Sequence, residues 1–507
     1  TAVGSYAMSA ITDAEVTDCV AIGYNALVGA ATTSGDGTVA IGSQALTALT
    51  TGTQNTAIGY QAADGLTTGA YNTVLGYDAL GNATTQADHH VAIGRGAMSG
   101  AIVAEDLNFC VAIGDLTMSG ALDAAASGTV AIGSSAIAAL EDGVGNLAIG
   151  YQAMAAQTDG TYNIAIGYQA MDAMDSGEDN NIAIGVAAMG DANNAAIVKN
   201  VAIGNYVLDA VGAAPVVSCT AVGYAALSSL NNANASYATA IGHVALYNLT
   251  SGASNTAVGN SALYSVRDDG SNTSVGYESS LYLYGGSNVA VGSAALKGVS
   301  FTEGGGIYNN DPTITHTADA RIIAGLGVSG TGIPDGAYVG SITSETIFEL
   351  YKDGSEVSTT GGNLTGQTLT FYSRTEGAVA IGTSALTALT SGAGNVAIGY
   401  QASDAISTGA NNVAIGYNAL GAENDGAANT AVGYQALLVQ NAGAGDNYNT
   451  MVGYQAGDGI STGAQNTGIG ASVAFTIDAA NQTCVGYGAT TASTGANTIM
   501  MGNSSMT

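Results

Sequence analysis

The sequence predicts an all-β fold, a parallel β-roll or β-helix solenoid of about 25 coils with 16 to 20 residues in each coil. Three observations support this fold class. One short motif recurs along almost the whole chain, 74 of the 507 residues are Gly, and only 9% of the residues are charged. A chain of this composition, which also lacks Trp, cannot build a thick aromatic core, but it can build many thin and nearly identical layers.

The repeated motif reads Asn-Thr-Ala-Ile-Gly-Tyr-Gln-Ala, as it stands at residues 55–62. The residue before the motif Gly is Ile, Val or Leu in 24 of 25 copies, the residue two before it is Ala in 19, and the residue three after it is Ala in 20. This constancy predicts that equivalent residues of successive coils lie above one another in columns. Representative column residues are Gly59, Gly76, Gly150, Gly167, Gly399, Gly416, Ile58, Ile166 and Ile398.

Each motif is predicted to begin with a short strand and to bend at its Gly. Residues 56–58 alternate in type, as in a strand whose side chains point to opposite faces. Gly59 then fits a bend at which a side chain would clash or φ must be positive. A second short strand is predicted over residues 60–63, followed by a linker on the outside. Stacking of the coils is expected to build continuous ladders of Ile and Val inside the solenoid.

The two Ala columns of each coil leave two interpretations open. Small residues could simply fit a narrow coil interior, or they could line a face that allows another copy of the chain to approach closely. The presence of two separate Ala columns in each coil favours the second interpretation. We therefore predict self-association through an Ala-lined face.

The motif resembles known repeats. Val-Ala-Ile-Gly with Ala three residues later, as at Val20, Val39 and Val396, resembles the head repeat of trimeric autotransporter adhesins. The longer form, with Gly-Tyr-Gln-Ala and a Thr-Thr-Gly or Ser-Thr-Gly turn, resembles repeats in phage tail fibres. Residues 497–505 resemble the segment that precedes the self-cleaving chaperone of such fibres. The resemblance implies a left-handed coil and a homotrimer, with end-to-end filaments as a further form of self-association.

The repeat is interrupted once, and this divides the chain into three predicted parts. We predict a β-roll shaft at residues 1–298, an inserted β-sandwich-like domain at 299–376 and a continuation of the shaft at 377–507. In the inserted part, the alternating runs at 346–351 and 367–372 indicate strands.

Binding residues favour irregular segments on a rigid scaffold, so a ligand contact is expected in the inserted segment. Tyr338, Tyr351 and Tyr372 are the candidates for stacking on sugar rings. The alternative is that the segment only spaces or stiffens the fibre.

The charge balance excludes some partners. The chain holds 38 Asp and Glu against 7 Lys and Arg, which gives a net charge of −31. Nucleic-acid binding needs clustered Lys and Arg, so no nucleic-acid partner is expected. The same charge disfavours anionic membrane surfaces, and the lack of a long apolar run argues against membrane insertion of this segment.

Few residues suggest metal or redox chemistry. Cys19, Cys110 and Cys219 share the position four before the motif Gly and are expected to be buried thiols in a column. His90 has that same position, where a trimer could gather three copies into a metal or anion site; the alternative is a tolerated polar substitution.

Acidic residues of the linkers are the remaining candidates for chemistry. Asp172, Asp175, Glu178 and Asp179 cluster there, where Ca²⁺ could bind loosely, with a solvated acidic face as the default. No nucleophile, base and orienting group stand together, so no enzyme is predicted and no cofactor other than Ca²⁺ is considered.

Three functional classes follow. The first is the shaft of a viral tail fibre or appendage, extracellular and carried on the virion, which presents an attachment surface to a glycan or protein receptor of the host. The second is a bacterial cell-surface trimeric adhesin or extracellular filament subunit. The third, a tail-spike glycosidase, would need paired carboxylates in a cleft. The Gly-Tyr-Gln-Ala repeats favour the first.

Overall fold

A computed structural model describes residues 1–9, 17–29, 36–83, 87–102, 107–123, 126–192, 197–211, 215–230, 236–334, 336–352, 354–441, 443, 445–475, 479–491 and 496–502. Within these ranges the chain is an all-β parallel solenoid without an α-helix, so the predicted fold class is confirmed. The chain divides into two compact units, Thr1–Ala238 and Thr239–Thr507.

In the first unit each coil contributes one short strand. The strands are β1 (Ala2–Val3), β2 (Val20–Ile22), β3 (Val39–Ile41), β4 (Thr56–Ile58), β5 (Thr73–Leu75), β6 (Val91–Ile93), β7 (Val111–Ile113), β8 (Val130–Ile132), β9 (Leu147–Ile149), β10 (Ile164–Ile166), β11 (Ile182–Ile184), β12 (Val201–Ile203) and β13 (Thr220–Val222). Each strand pairs in parallel with the next one, motif residue on motif residue. In β10 and β11, for example, Ala165 lies opposite Ala183 and Ile166 opposite Ile184. The predicted columns are therefore present.

The second unit repeats this arrangement. Its solenoid strands are β14 (Thr239–Ile241), β15 (Thr256–Val258), β16 (Thr273–Val275), β18 (Val289–Val291), β26 (Val379–Ile381), β27 (Val396–Ile398), β28 (Val413–Ile415), β30 (Thr430–Val432), β32 (Thr450–Val452), β33 (Thr467–Ile469), β35 (Thr483–Val485) and β37 (Ile499–Met501). Short additional strands pair on other sides of the coils, β29 (Gly426–Ala427) with β31 (Gly445–Asp446) and β34 (Ala474–Phe475) with β36 (Thr490–Thr491), and a further short strand, β17 (Leu283–Tyr284), precedes β18.

The chain between β18 and β26 forms an antiparallel sheet, and β17 pairs in parallel with the last strand of that sheet. Its strands are β19 (Ser300–Asn309), β20 (Thr313–Thr315), β21 (Gly327–Ser329), β22 (Tyr338–Ser344), β23 (Ile347–Lys352), β24 (Ser355–Glu356) and β25 (Asn363–Arg374). The pairings run β25–β19–β20–β23–β22–β21 and return to β25, so six strands close into a ring around buried Phe348 and Phe371. We call this the antiparallel ring. The solenoid continues past it, because β18 pairs directly with β26.

The strands turn their Ala residues inward, which reverses the predicted faces. Ala57, Ala165 and Ala397 are completely buried, whereas Ile58, Ile166 and Ile398 on the opposite face are only half-buried. The expectation of Ile ladders inside the solenoid and an Ala-lined outer face is therefore wrong. A coil of about 17 residues encloses so little volume that small side chains fill its strand side, and the branched side chains are left outside.

The residues after the motif Gly do not form the predicted second strand. In the coil of Gly59, Gln61 and Ala63 have left-handed backbones with φ of 55° and 52°. The backbone N–H of Gln61 still donates to the backbone carbonyl of Ser43 at 3.0 Å, and the backbone N–H of Ala63 donates to that of Ala79 at 2.9 Å. The turn is thus satisfied by hydrogen bonds between coils, as a strand would be.

The motif glycines form the predicted column, and the backbone requires them. Gly167 has φ of 145°, a region open essentially to Gly alone. A Cβ added at Gly167 would overlap the carbonyl oxygen of Gly185 in the next coil. Because the backbones of successive coils stack this closely, the motif position has no room for a side chain.

Candidate functional site

The first and third residues of the solenoid strands form what we call the outer strand face. In each unit, twelve three-residue strands contribute two columns of mostly Val, Thr, Ile or Leu, and these side chains are half-buried or exposed. Leu75 is 46% exposed and Ile469 is 47% exposed. Parallel sheets are usually covered on both faces, so a parallel sheet with an open, branched apolar face is unusual for an isolated chain.

The size of the outer strand face is comparable with that of a protein interface. Twelve strands about 4.8 Å apart, each about 10 Å long, span roughly 600 Å² in each unit. The largest apolar patch on a typical monomer is about 300–600 Å², and a standard interface buries about 800 Å² per partner. The face of each unit alone is therefore as large as the largest such patch on a typical monomer and approaches the area that one partner contributes to a standard interface.

Inside the coils, a column of Asn side chains connects each coil to the next. Asn163 is fully buried, and its backbone N–H donates to Oδ1 of Asn146 at 2.9 Å. Its Nδ2 donates to the carbonyl of Glu178 at 2.6 Å, and its Oδ1 accepts the backbone N–H of Asn181 at 2.9 Å. The sequence analysis did not predict this column, although Asn stands four residues before the motif Gly in 14 of 25 copies. We call it the Asn column.

His90 replaces Asn in this column and makes the same bonds. Its Nδ1 accepts the backbone N–H of Cys110 at 3.2 Å, which leaves the proton on Nε2 to donate to the carbonyl of Leu107 at 3.1 Å. The ring is fully buried, and this burial lowers the pKa of His90 to about 4. His90 therefore lies inside its own coil as a neutral polar substitute for Asn.

The variant His90→Asn should make the chain more resistant to acid. The folded pKa of about 4 lies below the unfolded value of 6.5, so the unfolded chain gains its proton first as the pH falls. Wild-type stability should therefore decrease between pH 6.5 and about 4, by roughly 3 kcal/mol. The His90→Asn variant should lose less stability over the same pH range. Thermal melting of both proteins across this range tests it, and melting curves that shift in parallel would contradict the assignment.

The cysteines are buried as predicted. Cys19, Cys110, Cys219 and Cys484 are all buried thiols. Burial raises the pKa of the Cys110 and Cys219 thiols to about 11, which keeps them protonated at neutral pH.

The acidic linker residues are not simply a solvated face. Glu178 is fully buried and accepts from Nε2 of Gln157 at 3.4 Å, and burial raises the pKa of its carboxyl to about 7. Oδ1 of Asp179 accepts from the backbone N–H of Thr161 at 2.7 Å and from its hydroxyl at 2.9 Å. These carboxylates join adjacent coils. Within the described ranges, no group of three or more His, Cys, Asp or Glu residues is arranged to hold a metal ion.

The three candidate tyrosines have different environments in the antiparallel ring. Tyr372 is only 5% exposed and stacks on Tyr284, with the ring centroids 3.6 Å apart, so its ring is not available to a sugar. Tyr338 and Tyr351 are half-buried, lie opposite each other on β22 and β23, and have centroids 6.1 Å apart. The guanidinium of Arg374 lies 5.1 Å from the Tyr338 ring. Of the predicted set, the fold brings only this pair together on an accessible side.

The antiparallel ring also borders a cleft that sequence reasoning did not anticipate. Its volume is about 420 Å³, within the range of small-molecule sites. The cleft combines four apolar side chains, two of them Ala318 and Ala320, with polar and acidic groups. Its lining includes His316, Asp319, Ile322, Ile342, Ser344 and Glu345. Hydrogen bonds from Arg321 hold the pKa of Asp319 down at about 2, so this carboxylate is already engaged.

Comparisons with known proteins do not assign a family. No family model, curated protein or solved structure matches the chain. The structure itself is therefore the basis for a function. Among the described residues, no helix is long and apolar enough to span a membrane.

Proposed function

We propose that this chain is a non-enzymatic structural shaft that assembles with copies of itself through the outer strand face. The β-solenoid fold is compatible with a fibre or shaft. The observation that carries the proposal is the open face of branched apolar side chains on a parallel sheet, since such a face is stabilised when water is removed from it. Successive coils of a unit present similar branched residues, so a second copy would meet a continuous surface along that unit.

A homotrimer is the proposed assembly, and an extracellular tail fibre or appendage of a virus is the proposed setting. The number of copies rests on the resemblance to trimeric repeats, and the viral setting rests on the Gly-Tyr-Gln-Ala repeats. Most homo-oligomers have closed cyclic symmetry, and a trimer is one such closed form. The Val-Ala-Ile-Gly strings favour one other setting, a bacterial cell-surface adhesin or extracellular filament. Copies joined end to end would extend either form.

The antiparallel ring is the proposed attachment surface for a glycan or protein receptor of the host. It interrupts the repeat, carries the Tyr338–Tyr351 pair with Arg374, and borders the cleft beside Ile342. Irregular segments on rigid scaffolds are where binding residues concentrate.

Light scattering of the full chain tests the assembly. We expect a mass of three times 49.5 kDa. A variant combining Ile149→Asp, Ile166→Asp and Ile184→Asp should be monomeric, because three charges on adjacent strands would have to be desolvated at the interface.

A matched control places the same charges elsewhere. Tyr71→Asp, Tyr162→Asp and Tyr237→Asp alter exposed turn positions, which are 50%, 58% and 64% exposed. This control should remain trimeric. A wild-type chain that stays monomeric at high concentration would overturn the proposed function.

A further inference from the structure

Four tyrosines of the second unit form a continuous stack. Tyr400, Tyr417, Tyr434 and Tyr454 each follow a motif Gly, and we call them the tyrosine column. Successive ring centroids lie 5.4, 5.2 and 5.2 Å apart, with interplanar angles of 13°, 12° and 8°. Their exposures are between 41% and 53%. The faces of the inner rings are covered by the neighbouring rings, so solvent reaches these rings mainly at their edges.

The backbone keeps these rings in place. The backbone N–H groups of Asn418, Gln435 and Gln455 donate to the backbone carbonyls of Tyr400, Tyr417 and Tyr434 in the preceding coil, at 3.0, 2.9 and 2.8 Å respectively. Beside the rings, Nε2 of Gln455 donates to Oε1 of Gln435 at 3.0 Å. Adjacent phenols are therefore held as neighbours by the coil spacing, without a separate step to bring them together.

We propose that the tyrosine column is a site of oxidative cross-linking, at which a one-electron oxidant joins phenols of successive coils into dityrosine. Each of two neighbouring phenols gives one electron and one proton to the oxidant, here a peroxidase supplied with hydrogen peroxide. The two phenoxyl radicals couple through one ortho carbon each, and a carbon–carbon bond forms. Each ortho hydrogen then moves to the oxygen of its ring. One hydrogen peroxide takes up the two electrons and two protons and becomes two waters.

The chemistry favours stacked neighbours. Coupling needs two radicals at contact distance, and parallel rings place their ortho carbons side by side. Tyr206 and Tyr224 of the first unit offer a comparison within the same chain, because their rings lie 5.8 Å apart at 75°. This edge-on pair should couple less often than Tyr434 and Tyr454. The product would be a covalent connection between coils that are otherwise joined by hydrogen bonds and packing.

The test uses the full chain, diluted and treated with peroxidase and limiting hydrogen peroxide. We expect dityrosine fluorescence, and peptide mapping should find linked pairs from the tyrosine column that lack two hydrogens relative to the separate peptides. Tyr434→Phe removes two of the three stacked pairs of the column, so that the column should give only the product of Tyr400 and Tyr417. Tyr237→Phe, which removes an exposed tyrosine outside the column, should leave the yield from the column unchanged.

Two results would overturn this inference. One is linked peptides spread over the exposed tyrosines without preference for stacked pairs such as those of the column. The other is a yield that rises with protein concentration, which would indicate coupling between molecules. Because the reaction is internal to one chain, its outcome is independent of whether the proposed trimer forms.

Discussion

Ala165→Asp is expected to unfold the coils around β10, whereas Ile166→Asp, one residue further along, leaves them folded. Ala165 is completely buried among Ala148 and Ala183 of the adjacent strands. A carboxylate there has no partner and no water, so the free energy of unfolding should fall by about 5 kcal/mol. Ile166 points to the outer strand face, where a carboxylate of an unassociated chain can reach solvent.

The two variants form a matched pair, since both place one carboxylate on the same strand. Hydrogen exchange of the amides of β9 to β11 measures the local effect, which suits a repeat structure better than one global transition. Ala165→Asp should expose these amides and Ile166→Asp should not. Equal loss of protection in both variants would contradict the assignment of inner and outer faces.

Asn163→Ala is expected to destabilise the shaft by about 4 kcal/mol, because two buried groups lose their partners at roughly 1–3 kcal/mol each. These are the backbone N–H of Asn181 and the carbonyl of Glu178, which bond to Asn163 at 2.9 and 2.6 Å. The neighbouring residues of the Asn column, Asn146 and Asn181, are also buried, so the site is closed to bulk solvent.

Thermal melting of the full chain gives the measurement for Asn163→Ala. Asn260→Ala is the control, because Asn260 is exposed and its Oδ1 accepts a hydrogen bond from the hydroxyl of the adjacent Ser261 at 2.8 Å. It should change the melting temperature little. If the two variants melted at the same temperature, the Asn column would not contribute to stability as described.

The periodicity of the sequence was sufficient to predict the solenoid, the parallel register and the column of glycines. It did not determine which face of each strand is buried, because the strand Ile164–Ile166 alternates Ile with Ala and both types are apolar. Hydrophobicity alone places Ile inside. The small volume enclosed by each coil places Ala inside instead. That volume depends on the turn after the motif Gly, which the sequence analysis predicted incorrectly as a second strand.

That turn carried no recognisable signal. Left-handed residues are usually Gly, Asn or Asp, yet Gln61 and Ala63 adopt this conformation in response to the hydrogen bonds between coils. The Asn column, in contrast, had a clear signal in its recurrence. It was overlooked because an isolated Asn before a strand is also typical of a turn. The burial of Tyr372 and the outward orientation of Ile166 have the same origin. Both depend on contacts distant in the chain, which the local sequence does not reveal.

The direct pairing of β18 with β26 has a consequence for how such a chain can change. The two strands meet in register although 87 residues separate Val291 from Val379. The stack therefore accommodates a guest segment between these two coils, because the guest begins and ends near the same point. Gene rearrangements could lengthen the molecule by whole coils or exchange one guest for another, and every retained coil would keep the neighbours it requires.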